Sequence, residues 1–105
     1  MENINDVTIA YEEEGETVVE QLDKVIVQKG VWAVILFRYQ ERNRKTGDFQ
    51  PPKAALRRYQ KYKGEYRKRD SVNISKDSAQ LLRDTLGKWL DEGLLGDSGD
   101  GDEAP

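Results

Sequence analysis

Five aromatic rings stand inside a dense run of cations in the middle of this 105-residue chain. Between Arg38 and Arg69 there are twelve Lys and Arg residues against three acids, Glu41, Asp48 and Glu65, and Tyr39, Phe49, Tyr59, Tyr62 and Tyr66 lie among them. Cations neutralise phosphates and release their counterions. Flat rings reward unpaired bases at about 1–3 kcal/mol for each base stacked. A duplex hides its base faces, so this interleaving fits an unpaired strand better than a groove. The chemistry it predicts is binding. Phosphates would go to Arg38, Arg42, Lys53, Arg57, Lys61, Arg67 and Arg69 and bases to Tyr39, Tyr59 and Tyr62, with Arg58 and Lys68 as further candidates in the same stretch.

The charge is segregated along the chain, which its formal net charge of -3 conceals. Met1 to Asp23 holds eight acids and no base, and Asp91 to Pro105 holds six acids and no base. All 17 cations therefore lie between Lys24 and Leu90, against six anions. A basic centre between acidic ends attracts polyanions. A solvated basic surface on an ordinary domain is the plain alternative on charge alone, and the interleaved rings tip the balance. The plain reading of the tyrosines is that they cover core edges with their hydroxyls in water.

Much chemistry is excluded by what the chain lacks. Without Cys or His there is no thiol nucleophile, no disulfide, no Ser-His-Asp triad and no standard zinc site. No glycine-rich phosphate loop is present, and carboxylates on the final helix such as Asp84 read as ordinary surface pairs. The expectation is a protein that is not an enzyme, with no catalytic residues, metal ligands, cofactor or small-molecule substrate. No stretch approaches about 18 apolar residues and the start lacks the basic and apolar regions of a secretory leader. A cytoplasmic location without membrane contact is expected, for a cellular or virus-encoded protein.

The elements that must position these residues follow from periodicity and punctuation. Val25 to Arg42 is rich in β-branched and aromatic residues and is broken at Lys29-Gly30, which predicts a hairpin. Residues 17–24 are compatible with strand or helix, and strand is favoured from about Leu22. Asn43 to Pro52 is a connection. Lys53 to Tyr62 alone would be acceptable as helix, but the turn around Gly64 favours strands, so Lys53 to Tyr62 and Tyr66 to Ile74 are expected to form a second hairpin. Ser75 caps a helix whose stripe is Ala79, Leu82, Leu86, Trp89 and Leu90, and Gly93 stops it. The fold class is α+β, a four-stranded antiparallel sheet of two hairpins followed by one amphipathic C-terminal helix that pairs two subunits. The domains are an acidic disordered segment 1–16, a binding domain 17–95 and an acidic disordered tail 96–105.

Alternation assigns the faces. Lys53, Arg57, Tyr59 and Lys61 share one side of their strand. Val72 and Ile74, turned toward the helix, would direct Arg67 and Arg69 to that same side, so the helix would cover one face and the cations would occupy the other. Val31 to Phe37 is apolar throughout and is expected at the sheet centre, covered on both sides, a second subunit supplying one cover.

The segment LRRYQKYKGEYRKRDSVNISKDSAQLLRDTLGKWL, Leu56 to Leu90, resembles the positive cofactor four family of transcriptional coactivators, grouped with Whirly-type single-stranded DNA binders. Arg58 and Tyr59 match the family strand's Arg and aromatic, Lys68 and Arg69 its basic stretch, and Asn73-Ile74-Ser75 its strand-to-helix junction. The resemblance implies a curved sheet and a helix, helices pairing a homodimer, and sheets forming channels for unpaired strands. It covers about a third of the chain, and it differs in the Pro51-Pro52 loop and at Lys68-Arg69-Asp70, which replaces a glycine-containing turn. It favours Arg58 as the contact residue where alternation favours Arg57.

The expected function is sequence-independent binding of single-stranded DNA, or RNA, in transcription, replication or repair. The rivals are a regulator that docks its basic face on an acidic protein, and a duplex binder. For the acidic tail, competition with nucleic acid for the basic face and simple solubilisation stand level.

Overall fold

The computed structural model describes residues 3–96. A single 3₁₀ turn at Ile4–Asp6 leads into β1 (Tyr11–Glu13), β2 (Glu16–Gln28), β3 (Trp32–Glu41), β4 (Lys53–Tyr62), β5 (Glu65–Ile74) and α1 (Lys76–Asp91). The strands form one antiparallel meander in the order β1-β2-β3-β4-β5. The α+β class, both expected hairpins and the helix are present, with five strands in place of four. The added strand is β1, paired to a β2 that begins at Glu16, well before Leu22.

Two tight turns set the hairpin registers. Glu14 and Gly15 have φ of 52° and 82°, and Lys63 and Gly64 have φ of 51° and 81°. Positive φ at both central residues is the two-residue hairpin turn whose twist suits the strands it joins. Glu13 therefore faces Glu16, and Tyr62 faces Glu65.

The core lies on one face of the sheet. Ala33, Ile35 and Phe37 are fully buried, joined by Tyr39, Ala55 and Tyr59. Their cover comes from the N-terminal segment, whose Val7 and Ile9 are buried against them and whose Ile4 packs at the margin. The described part of the acid-rich start, from residue 3, thus forms a strap across the sheet and then the β1–β2 hairpin, where disorder is expected over 1–16. The Lys24 ammonium fixes the strap by donating to the backbone carbonyls of Ile4 (2.8 Å), Asn5 (2.9 Å) and Val7 (2.5 Å). Gln21 adds a second anchor, its Oε1 accepting from the Thr8 hydroxyl and the Ile9 N–H. Burial pushes Lys24 below the ordinary lysine pKa, while the nearby Asp6 carboxylate pulls it back up.

The opposite face is only half covered. Trp32, Val34 and Leu36 are partly buried there, and Val25, Val27 and Val72 are exposed. The helix begins as its sequence predicts. Ser75 Oγ accepts from the Ser78 N–H, and Gly93 at φ 68° closes the far end with Leu94 N–H bonded to the Trp89 carbonyl. It does not cover the sheet face expected of it. No residue of α1 is buried, and Leu82, Leu86 and Trp89 stay 45%, 42% and 42% exposed. The radius of gyration, 16.1 Å, exceeds the about 13 Å of a compact domain this size, as a projecting helix requires.

Among the described residues no helix is long and apolar enough to cross a membrane. Of the expected acidic tail, 96–105, residues 97–105 lie outside the described residues.

Candidate nucleic-acid interface

The β4–β5 hairpin carries the densest positive charge of the fold. Lys53 to Arg69 contains eight cations and one acid, on two strands of which β5 is the sheet edge and exposed over nearly its whole length. Charged side chains on an edge also discourage pairing with another sheet. Three tyrosines, Tyr59, Tyr62 and Tyr66, belong to the same hairpin.

The register distributes these groups over two faces. On the strap side, Lys53 is opposite Tyr39, Ser71 opposite Arg57, Lys68 opposite Tyr59 and Tyr66 opposite Lys61. On the helix side, Asp70 faces Arg58, Arg67 faces Gln60 and Glu65 faces Tyr62. The pairing shifts between Arg58 and Tyr59, where β5 carries one extra residue, Arg69. This bulge moves the alternation by one. Arg67 and Arg69 therefore leave the face of Arg57 and Lys61 and join the helix side, where Arg69 Nε donates to Gln60 Oε1 at 3.0 Å. The single cationic face expected from simple alternation is in fact two faces meeting at the hairpin tip.

At that tip the rings and cations are in contact. The Tyr62 ring, half exposed, has the Lys63 ammonium 5.3 Å and the Arg67 guanidinium 5.8 Å from its centroid. On the other face Lys61 lies 5.5 Å from the Tyr66 ring. Cations held over a ring face lose little side-chain freedom when they next meet a phosphate. Tyr62 is thus a half-exposed ring with two cations close to it.

The remaining expected residues have other surroundings. Tyr39 and Tyr59 are buried beneath the strap and offer no free ring face. The Tyr39 hydroxyl donates to Asn73 Oδ1 at 3.3 Å, while the Tyr59 hydroxyl is buried without a partner among the described residues. Arg42 holds the β3–β4 connection, donating to the carbonyls of Thr17 and Gly47 with its guanidinium 4.4 Å over Phe49. Lys53 pairs with Glu41 at 3.2 Å, both half exposed. Arg58 is bound to Asp70 and stacked on Trp32. Arg38 is exposed on the helix side, beside Pro51 and Pro52. Arg57 is half buried and makes no ion pair among the described residues, and its Nε has no acceptor.

Lys63, Lys24 and Tyr11 were not singled out from the sequence. Lys63 sits in the turn, where the Lys-Gly pair and the neighbouring Tyr62 are its signal. Lys24 opens the basic centre and is spent on the strap. Tyr11 stands half exposed at the strap end of the same face. Among the described residues no three acidic side chains converge to hold a metal ion. Comparison of the chain with protein-family models, curated proteins and solved structures finds no match.

Proposed function

We propose that this protein is a non-enzymatic, largely sequence-independent binder of single-stranded DNA that serves transcription, replication or repair. The observation that carries the reading is Tyr62, a half-exposed ring at a hairpin tip with the Lys63 ammonium and the Arg67 guanidinium 5.3 and 5.8 Å from its centroid. Lys61, Lys68 and Arg57 extend that cationic surface onto the strap side. Phosphates along an unpaired strand would meet these groups while a base stacks on Tyr62. Kinship with the positive cofactor four coactivators belongs to the same proposal.

The assembly proposed is a homodimer joined through α1. Leu82, Leu86 and Trp89 form an apolar stripe that continues onto Val72 of the sheet, and a second copy supplies the same self-complementary stripe. Single-stranded oligothymidylate, matched duplex and single-stranded RNA titrated in one anisotropy series test the ligand. Tight binding of the unpaired DNA and weak binding of the duplex are expected. Duplex binding of equal strength would overturn the reading, and preferential capture by an acidic protein would favour the docking regulator.

A further inference from the structure

The strap does more than cover the core. Between it and β5 runs an open groove of about 590 Å³, within the roughly 300–1,000 Å³ range of small-ligand sites. One wall is backbone and side chains of Thr8 to Tyr11, and the other is Arg57, Ser71 and Asn73. We infer that this groove holds one nucleotide of the bound strand, its phosphate against Arg57 and Ser71 and its base against Tyr11. The inference rests on the single-strand reading and names a second contact region on it, distinct from the hairpin tip.

Three features point to such an occupant. First, Arg57 is a half-buried cation without a carboxylate among the described residues, its Nε lacking any acceptor. A guanidinium in that condition calls for an anion, and the planar fork suits phosphate. Glu41, the acid on the rim, is engaged with Lys53 at 3.2 Å. Second, the Asn73 amide faces the groove beside the Tyr39 hydroxyl. Its Oδ1 accepts from the Tyr39 hydroxyl, so its NH₂ is left to donate to a base carbonyl. Third, the Tyr11 ring is 52% exposed at the groove rim, an available stacking face on the side where Tyr39 and Tyr59 are buried.

The groove also explains what an acid-rich strap gains by lying on a basic face. Its acids Glu12, Glu13 and Glu14 follow Tyr11 and stand beyond the groove, whose strap wall of Thr8, Ile9, Ala10 and Tyr11 carries no charge. A phosphate at Arg57 meets no carboxylate from that wall.

The test uses the full chain and two probes, fluorescein-labelled dT15 followed by anisotropy and thymidine 5′-monophosphate followed by ¹⁵N amide shifts. The variants are Tyr11→Ala, Tyr11→Phe and Ser71→Ala with Asn73→Ala. We expect Tyr11→Ala to weaken dT15 binding about 5- to 10-fold, Tyr11→Phe to retain it, and the double variant to weaken it several-fold. The mononucleotide should shift the amides of Thr8–Tyr11, Ser71 and Asn73. If dT15 binds but these variants match the wild type and all shifts fall at Lys61–Lys68, the groove is overturned and the hairpin reading stands. If dT15 fails to bind while the mononucleotide shifts the groove amides, the strand reading falls and the groove remains a nucleotide site. Failure of both probes overturns both.

Discussion

Arg58 donates Nη2 to Asp70 Oδ2 at 2.6 Å across the β4–β5 pair, with its guanidinium 4.5 Å above the Trp32 ring. Its neighbour Arg57 points to the other face, where its guanidinium lies 6.0 Å from the Phe37 ring and makes no ion pair among the described residues. Of the two adjacent arginines, one is already neutralised and the other is available to an anion. Arg57→Ala is therefore expected to lower affinity for oligothymidylate about 3- to 10-fold and to reduce the salt slope by about 0.7. Arg58→Ala should cost about 1 kcal/mol of stability, since its ion pair is half exposed and worth little while its stacking adds a comparable amount. Its effect on affinity should be the smaller of the two, and anisotropy beside urea melts of both variants separates these outcomes.

Lys24 holds the strap through three carbonyls, so Lys24→Met removes all three ammonium donors and leaves three acceptors to find water. A loss of about 2 kcal/mol is expected in urea unfolding, with faster amide exchange at Val7 and Ile9. An unchanged midpoint would mean that Val7 and Ile9 seat the strap without help.

The tip turn sets stability against binding. Lys63 occupies φ 51°, a region that asparagine tolerates better, and also supplies a cation beside Tyr62. Lys63→Asn should raise stability by a few tenths to about 1 kcal/mol. The same change should reduce the salt slope by about 0.7. Thermal melts and salt titrations of one sample check both signs.

The helix stripe predicts the assembly state. Trp89→Glu places a charge in the middle of Leu82, Leu86 and Leu90, and should convert a particle of twice 12.1 kDa into one of 12.1 kDa by light scattering. Helix content should persist, because Ser75 and Gly93 still cap it. A wild type that is monomeric at about 100 μM would remove the dimer.

Much of this architecture was legible from local signals. The Gly-containing turn at Gly64 marks β4 and β5, and Ser75 with its apolar stripe marks α1, because each depends on residues close in sequence. The strap was not legible. Val7 and Ile9 are isolated apolar residues in an acid-rich stretch, and their burial depends on the distant Phe37 and Ile35. The bulge was equally hidden. Nothing in RKRD says that Arg69 is the extra residue, yet that one residue decides which face receives Arg67. The cations and rings of β4 and β5 therefore divide between two faces where simple alternation puts them on one, and Tyr39 and Tyr59 are core.

The salt dependence of dT15 binding tests the central claim most directly. With about six phosphates neutralised, log affinity should fall against log salt with a slope near -4, and duplex of the same length should bind far more weakly throughout. A flat salt response, or duplex affinity equal to that of the single strand, would contradict the account.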